Sequence, residues 1–199
     1  DAGLPVPEVL AAERVPDGWA IASRFIYGRT LSDRVRRHPE ERDSAIRTLA
    51  QVRTQIHASK LNGLESLKSR VSRLIARAPL AEDAKAELIA RTSRMPDGAS
   101  PCHGDLMLSN VIECADDGFA VVDWARACRG RAAADDAVTL LLLEMEESAE
   151  MANAYRSRLD SDPREIAQWT PLVAASRTMM ANERERAFLI PKIFSPRNI

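Results

Sequence analysis

Two short stretches, CHGDLMLSN at residues 102–110 and VVDW at residues 121–124, place two carboxylates and a carboxamide within about twenty residues. Asn110 begins one predicted strand and Asp123 ends the next, so a tight hairpin would bring their oxygen atoms side by side. Hard oxygen ligands of this kind suit Mg²⁺, which shares its coordination shell with phosphates. The carboxylate of Asp105 can accept a proton from an attacking hydroxyl or orient it. The pattern therefore predicts phosphoryl transfer.

Strand signals flank this hairpin and also open the chain. The hairpin strands are predicted over 110–114 and 119–123, with Asp116-Asp117-Gly118 as the turn. Two more strands are predicted over 6–11 and 19–27, joined by Asp17-Gly18, which is a hairpin-type turn sequence. A pair of strands alone is marginally stable, so the first hairpin needs another element to pack on.

The remaining sequence has helical periodicity. Thr30 is predicted as an N-cap because an acidic residue follows three positions later, and a longer helix is predicted from Pro39. Apolar residues then recur at helical spacing over 64–78 and 80–95. From Ala132 onward the chain is predicted to be helical, with breaks near Asp162-Pro163 and at Pro171 and a proline-containing tail. Strands and helices in this order predict an α+β fold.

Composition excludes several classes of protein. The 199 residues are 45% hydrophobic and 29% charged, which suits one ordinary domain or a small domain with an appendage. A formal net charge of -1 gives no global field that would recruit nucleic acid or an anionic membrane. Three cysteines without metal-ligand spacing predict neither a disulfide scaffold nor a zinc site. No apolar run is long enough to span a bilayer, and a cytoplasmic location is expected.

The motif residues resemble a known family. Asp105 and Asn110 have the five-residue offset of the Asp and Asn in the kinase catalytic loop. His103-Gly104-Asp105 with Asn110 resembles the Brenner motif of the aminoglycoside phosphotransferase and choline kinase superfamily, and Asp123 resembles its second metal-binding Asp. The resemblance implies a protein-kinase-like fold, mostly the helical C-terminal catalytic lobe with a β-hairpin remnant of the N-terminal lobe.

Other landmarks agree in their order along the chain. Residues 3–10, GLPVPEVL, are similar to the family's strand after the first helix, and residues 25–31, FIYGRTL, resemble the hinge between lobes. Ile56-His57 resembles the Leu-His pair that ends the first long helix of the catalytic lobe. Residues 130–137, which include Asp135, resemble the segment that follows the metal-binding Asp. Several spaced elements in the right order are far more specific than a lone His-Gly-Asp.

The resemblance implies a role for each residue. Asp105 would be the catalytic base, and Asn110 and Asp123 would hold Mg²⁺. His103 and Asp135 would support the loop. The hinge backbone would contact the adenine of ATP or GTP through Phe25, Ile26 and Tyr27. The expected enzyme is an ATP-dependent kinase that phosphorylates a hydroxyl of a small polar molecule, such as an aminoglycoside-like antibiotic or a related alcohol.

Some family features are missing from the sequence. Ala125 stands where relatives often have Gly, and Arg131-Ala132 replaces an Asp-Pro pair. No GxGxxG loop occurs, and no lysine precedes Lys60. We therefore expect residues 1–28 to be a remnant of the nucleotide lobe, with two strands and the hinge, and residues 29–199 to be the helical catalytic lobe. The alternative is a non-catalytic kinase-like binding module or a truncated pseudokinase, and the exposed hairpin edge predicts pairing with another chain or with the missing lobe.

Two groups of polar residues have open interpretations. His57 lies on an apolar helical face and is predicted to be a packed histidine rather than a catalytic one. The acidic run comprises Glu144, Glu146, Glu147 and Glu150. It is either a solvated helix face or an acidic wall that would suit a cationic acceptor near Asp105.

Overall fold

A computed structural model describes residues 4–16, 18–114 and 118–194. Its strands are β1 (Val9–Val15), β2 (Gly18–Ser23), β3 (Gly28–Thr30), β4 (Ser100–Cys102), β5 (Val111–Cys114), β6 (Phe119–Val121) and β7 (Cys128–Gly130). Its helices are α1 (Leu31–Arg37), α2 (Arg42–Ala58), α3 (Leu67–Ala76), α4 (Glu82–Arg94), α5 (Ala132–Glu146), α6 (Ala149–Arg156), α7 (Pro163–Arg177) and α8 (Glu183–Phe194). Short 3-10 turns cover Pro39–Glu41, Leu108–Asn110 and Trp124–Arg126. Asp17, the turn residues Asp116 and Asp117, and the proline-containing tail after Phe194 lie outside the described residues.

The first hairpin projects from the rest of the chain. β1 and β2 pair antiparallel, with Val15 opposite Gly18 and Ala12 opposite Ile21. Every residue of both strands is exposed, and the side chains of Trp19 and Ile21 remain about two-thirds accessible, at 68% and 67%. Within the described part of the chain, this hairpin therefore contributes no buried residue to the hydrophobic core.

Two small sheets set the position of the candidate loop. β3, β5 and β6 form an antiparallel sheet in that order, with Thr30 opposite Ile112 and Val111 opposite Val121. β4 and β7 form a separate antiparallel pair in which Cys102 lies opposite Cys128. The loop after β4 is therefore held between these two sheets.

A helical core supports the sheets. Helix α5 is buried without interruption from Ala133 to Leu143, so it runs through the centre of the helical layer, between α6 and α7. The largest fully buried side chains are Trp169, Tyr155, Leu31, Ile46, Leu49, Ile56, Ile75, Leu106, Leu108, Leu143, Ile166 and Leu172. The α+β architecture predicted from the sequence is confirmed.

Helix α2 is joined to α5 by a buried ion pair. Both oxygens of Asp136 accept hydrogen bonds from Arg53, at 2.8 Å from Nε and 2.6 Å from Nη2. Arg53 is 4% exposed and Asp136 is fully buried. Asp160 and Ser161, in the connection between α6 and α7, also accept hydrogen bonds from Arg53. One guanidinium thus links three parts of the helical layer.

Several predicted boundaries are wrong. β1 begins at Val9 and runs to Val15 instead of covering 6–11, and β2 ends at Ser23. Asn110 closes a 3-10 turn just before β5, and Asp123 lies two residues beyond the end of β6. Pro171 does not break the helix but lies inside α7, whose hydrophobic residues on either side are buried in the core. Packing of that buried face offsets the one backbone hydrogen bond that a proline removes.

No helix among the described residues combines the length and the hydropathy needed to cross a membrane.

Candidate active site

The candidate catalytic loop begins at a glycine that no other residue could replace without strain. Gly104 follows His103 after β4 and has φ +76°, in the left-handed region. A Cβ at this position would lie 2.4 Å from the carbonyl oxygen of Arg126. The missing side chain therefore lets the loop pack directly against the backbone of the 3-10 turn at Trp124–Arg126.

Asp135, in the first turn of α5, holds the loop from behind. Its carboxylate accepts hydrogen bonds from the backbone amides of His103 at 3.0 Å and Gly104 at 2.7 Å, and lies 2.9 Å from Nε2 of His57. Burial alone would raise the pKa of Asp135, but the hydrogen bonds from His57 and Gly104 outweigh it and hold that pKa below its usual value. His57 therefore braces the carboxylate that fixes the loop.

We expect Asp135→Asn to lower the free energy of unfolding by about 2–3 kcal/mol at pH 7, because buried hydrogen bonds to a charged group are lost. The pKa of Asp135 is lowered in the folded state, so its stabilising effect is present above the ordinary value of about 3.9 and is lost as the pH falls through the folded pKa. Urea unfolding of both proteins between pH 3 and pH 7 measures this. The difference in the free energy of unfolding between Asp135→Asn and the unmodified chain should be constant above about pH 5 and become smaller in acid. Asp83→Asn, at an exposed position in α4, is the matched control. An equally large loss of unfolding free energy in Asp83→Asn would contradict the stabilising role of the Asp135 carboxylate.

The ring of His103 is buried behind the loop. Its ring Nε2 lies 3.1 Å from the carbonyl oxygen of Val122, and because a carbonyl only accepts, this nitrogen carries the proton. The ring packs against Trp124, with centroids 4.6 Å apart. Burial lowers the pKa of His103, although Asp135 and the Val122 carbonyl act in the opposite direction. A neutral, buried imidazole suits the supporting role predicted for it.

Asn110 is anchored close to Asp105. Its side-chain Nδ2 donates to the backbone carbonyl of Asp105 at 2.8 Å, and its own backbone carbonyl accepts from the amide of Val122 at 3.0 Å. These bonds tie the loop to the segment that carries Asp123. They also engage the amide nitrogen of Asn110, which leaves its Oδ1 as the atom that can bind a cation.

Asp123 has an unusual backbone conformation. With φ 61° and ψ 61°, it is the one non-glycine residue with positive φ in the described ranges. This conformation is uncommon for residues other than glycine and is concentrated at functional sites. This backbone conformation is a second observation, independent of the motif, that marks Asp123 as a candidate site residue.

Asp105 itself lies between two arginines that the sequence interpretation missed. Its Oδ1 is 2.9 Å from Nη1 of Arg177, near the end of α7, and its Oδ2 is 3.5 Å from Nε of Arg126. The Asp105 side chain is only 13% exposed. Arg126 could have been flagged because it follows Asp123 by three residues, but no local signal points to Arg177.

The predicted hinge joins β2 to β3. Phe25 and Tyr27 are 73% and 81% exposed, and their rings meet edge to face with centroids 4.9 Å apart. Ile26 is half-buried. These residues directly precede β3, which pairs with β5. They therefore lie at one end of the sheet formed by β3, β5 and β6, and Asp123 follows the opposite end.

The donor set suits a hard cation. Asn110 offers a carboxamide oxygen and Asp123 a carboxylate, and both types of oxygen are preferred by Mg²⁺, which completes its shell with phosphate oxygens and water. Another group, His57, Cys102 and Asp135, also brings potential ligands within 4.8 Å of one another. It is less suitable because Asp135 already accepts three hydrogen bonds, and because the hydrogen bond with Cys128 and burial strongly raise the pKa of the Cys102 thiol.

The motif, the kinase-like order of elements and the braced loop together point to the phosphotransferase class. Residues 1–169 match the family model described as the phosphotransferase enzyme family, APH, and the chain belongs to that family. The resemblance identified from the sequence is thus confirmed. No curated protein matches the chain significantly.

Solved structures share the fold. A thermostable mutant of aminoglycoside phosphotransferase APH(4)-Ia aligns with a TM-score of 0.67 and 18% identity, covering 98% of this chain and 80% of that one. Choline kinase LicA from Streptococcus pneumoniae aligns with a TM-score of 0.65 and 16% identity, covering 95% and 72%. The amicoumacin kinase hAmiN, solved with AMP-PNP, Ca²⁺ and Ami, has a TM-score of 0.64 and 13% identity, with 96% and 71% covered. At these identities the likeness establishes the fold alone.

Proposed function

We propose that this phosphotransferase moves the γ-phosphoryl group of ATP or GTP to a hydroxyl of a small polar molecule, such as an aminoglycoside-like antibiotic or a related alcohol. The observation that carries the proposal is the loop in which Asp105 is fixed by the Asn110 side chain and by the Asp135-bound amides. Phosphoryl transfer depends mainly on positioning and charge stabilisation, and a rigid loop supplies the first.

Each residue has a proposed part in the reaction. Asp105 orients the acceptor hydroxyl and accepts its proton. Asn110 and Asp123 would hold Mg²⁺, which neutralises phosphate charge when bound. His103 and Asp135 keep the loop in place, and the hinge backbone contacts the nucleotide base through Phe25, Ile26 and Tyr27.

The neighbouring structures support a nucleotide substrate. One APH(4)-Ia variant was solved with ADP and hygromycin B, and LicA was solved with AMP. Family membership does not favour the alternative of a non-catalytic module or truncated pseudokinase. We retain as proposals the division into residues 1–28 and 29–199, a cytoplasmic location, and pairing of the exposed hairpin with another chain or with further strands of the nucleotide lobe.

We expect Mg-ATP to raise the melting temperature of the chain. A ligand at 100 times its Kd stabilises the folded state by about 2.7 kcal/mol, which corresponds to roughly 5–10 °C for a chain of this size. Differential scanning fluorimetry with Mg-ATP, and with ATP plus EDTA, measures the total and the metal-dependent shift.

The variant Asp123→Asn should lose the metal-dependent part of that shift, because one carboxylate ligand is removed. Asp97→Asn is the matched control, since Asp97 is 88% exposed and pairs with Lys68. An unchanged Mg²⁺ effect in Asp123→Asn would contradict the metal assignment. Absence of any nucleotide shift in the unmodified chain would contradict the proposed function.

A further inference from the structure

The surroundings of Asp105 are more basic than a single ion pair requires. Arg177 and Arg126 approach different oxygens of this one carboxylate, so two guanidinium groups face one negative charge. Arg177 also interacts with Glu185, but that carboxylate accepts a hydrogen bond from the amide of Asn182 and caps the start of α8. Two guanidinium groups thus converge on the one carboxylate of Asp105, and Glu185 is a second acidic neighbour of Arg177.

Arg177 has donors to spare. A guanidinium has five N–H groups, and within the described ranges the ion-pair partner of Arg177 is Asp105 alone. Its side chain is 15% exposed, yet none of its nitrogens is among the buried polar atoms without a partner. Asp105 engages Nη1 at 2.9 Å, and no described residue is paired with Nε or Nη2, so the N–H groups on these two nitrogens are the ones left for a ligand. A partly buried guanidinium of this kind, with its N–H donors in one plane, can donate two parallel hydrogen bonds to two oxygens of a carboxylate or phosphate.

The acidic run does not form an acidic surface facing Asp105. Glu147 accepts a hydrogen bond from Ser32 of α1, and Glu144 pairs with Lys192 of α8. Glu144 is nine and Glu147 twelve residues beyond Asp135 in the chain. A rise of 1.5 Å per residue puts them about 14–18 Å from the end of α5 that braces the catalytic loop. An acidic surface for a cationic acceptor is thus not formed by these residues at Asp105.

We propose that Arg177, with Arg126, forms an anion-binding site beside Asp105. The acceptor is then, of the two classes named above, an alcohol that carries a carboxylate or phosphate group near its reactive hydroxyl, and not a polycationic aminoglycoside. This rests on the proposed kinase function, because Asp105 is taken as the group that orients the hydroxyl. On binding, the anionic group of the acceptor takes over the N–H donors of Arg177 and thereby frees Asp105. The γ-phosphoryl group of the nucleotide has the same chemistry, and the experiment separates the two sources.

Inorganic phosphate is the probe. Titration at pH 7 and constant ionic strength, with chloride as the balancing salt, should raise the melting temperature of the chain. The apparent Kd for phosphate should be about tenfold weaker in Arg177→Met, which corresponds to the loss of one good charged contact. Arg164→Met, at an exposed position in the first turn of the same helix, should leave it unchanged. Asp105→Asn should bind phosphate more tightly, because the competing carboxylate is gone.

A second arm adds saturating Mg-AMP-PNP. Phosphate binding that persists with the nucleotide and is weakened in Arg177→Met supports the acceptor site. Loss of phosphate binding in the presence of AMP-PNP assigns the arginines to the γ-phosphoryl group and overturns the proposal. No phosphate effect, or an equal effect in Arg177→Met, also overturns it. If Arg177→Met does not fold, Arg177→Lys and Asp105→Asn give the same comparison.

The two proposals fail separately. A nucleotide shift without a phosphate shift would leave the kinase function standing and remove the anion site. A phosphate shift without a nucleotide shift would leave an anion site at Arg177 but remove the kinase function, and with it the assignment of that site to the acceptor. Stabilisation by the polycation hygromycin B that matches that by phosphate would count against an anionic acceptor.

Discussion

The variant Asp105→Asn is expected to lower kcat by a factor of about 10²–10⁴, the usual contribution of a general base. The carboxamide keeps the size of the side chain but cannot accept the hydroxyl proton. The KM for ATP should change little, because the proposed ligands of the metal and nucleotide are other residues. Steady-state ADP formation, with an acceptor found in a screen of hydroxylated compounds, gives both parameters.

Two controls make this result interpretable. Loss of the carboxylate leaves Arg177 without its ion-pair partner, so the melting temperature of each variant must be compared with that of the unmodified chain. Asp105→Glu retains the charge but moves it by one methylene, and a large fall in kcat is expected there too because position matters. Asp97→Asn should be fully active. Turnover by Asp105→Asn within a factor of two of the unmodified chain would remove Asp105 from the mechanism.

The largest expected effect on stability is that of Arg53→Met, at about 3–5 kcal/mol. The change leaves the carboxylate of Asp136 buried without its guanidinium partner and also removes the hydrogen bonds to Asp160 and Ser161. The link between α2, α5 and the connection before α7 is then lost. Urea unfolding followed by circular dichroism measures the difference in free energy.

Arg47→Met is the matched control for this prediction. Arg47 lies on the same helix and pairs with Asp43 four residues away, but both side chains are more than half exposed. Such surface pairs contribute at most about 1 kcal/mol. The double variant Arg53→Met with Asp136→Leu should recover part of the lost stability, since no buried charge remains. Equal effects of Arg53→Met and Arg47→Met would show that the buried pair is not a main support of the fold.

Local signals predicted several elements correctly. Thr30 caps α1, with its hydroxyl accepting from the amide of Asp33 at 3.0 Å. The break predicted near Asp162-Pro163 coincides with the start of α7, where the Asp162 side chain accepts from the amide of Arg164. These features depend on residues two or three positions apart, which a sequence displays directly. Strand limits were less accurate because every residue of β1 and β2 is exposed to solvent, so burial imposes no alternation on their residues.

The candidate site also contains residues that local sequence predicts and residues that it does not. Asp105, Asn110 and Asp123 were predicted from spacing and family resemblance, and the structure connects Asn110 to Asp105 by a hydrogen bond; their catalytic and metal-binding roles stay predictions. Arg177 could not be predicted, because it is 72 residues from Asp105 in the chain. Its helix reaches the loop only when α7 packs against α5 and α3.

The sequence by itself therefore determined the family, the α+β fold and the short loop that carries the candidate chemistry, since all three are written in local patterns. Only the tertiary structure decided which charges surround Asp105 and which ion pair crosses the core. Those partners are far apart in the chain. They meet because buried charges and hydrogen-bonding groups must be paired, and no spacing along the sequence indicates which of them come together.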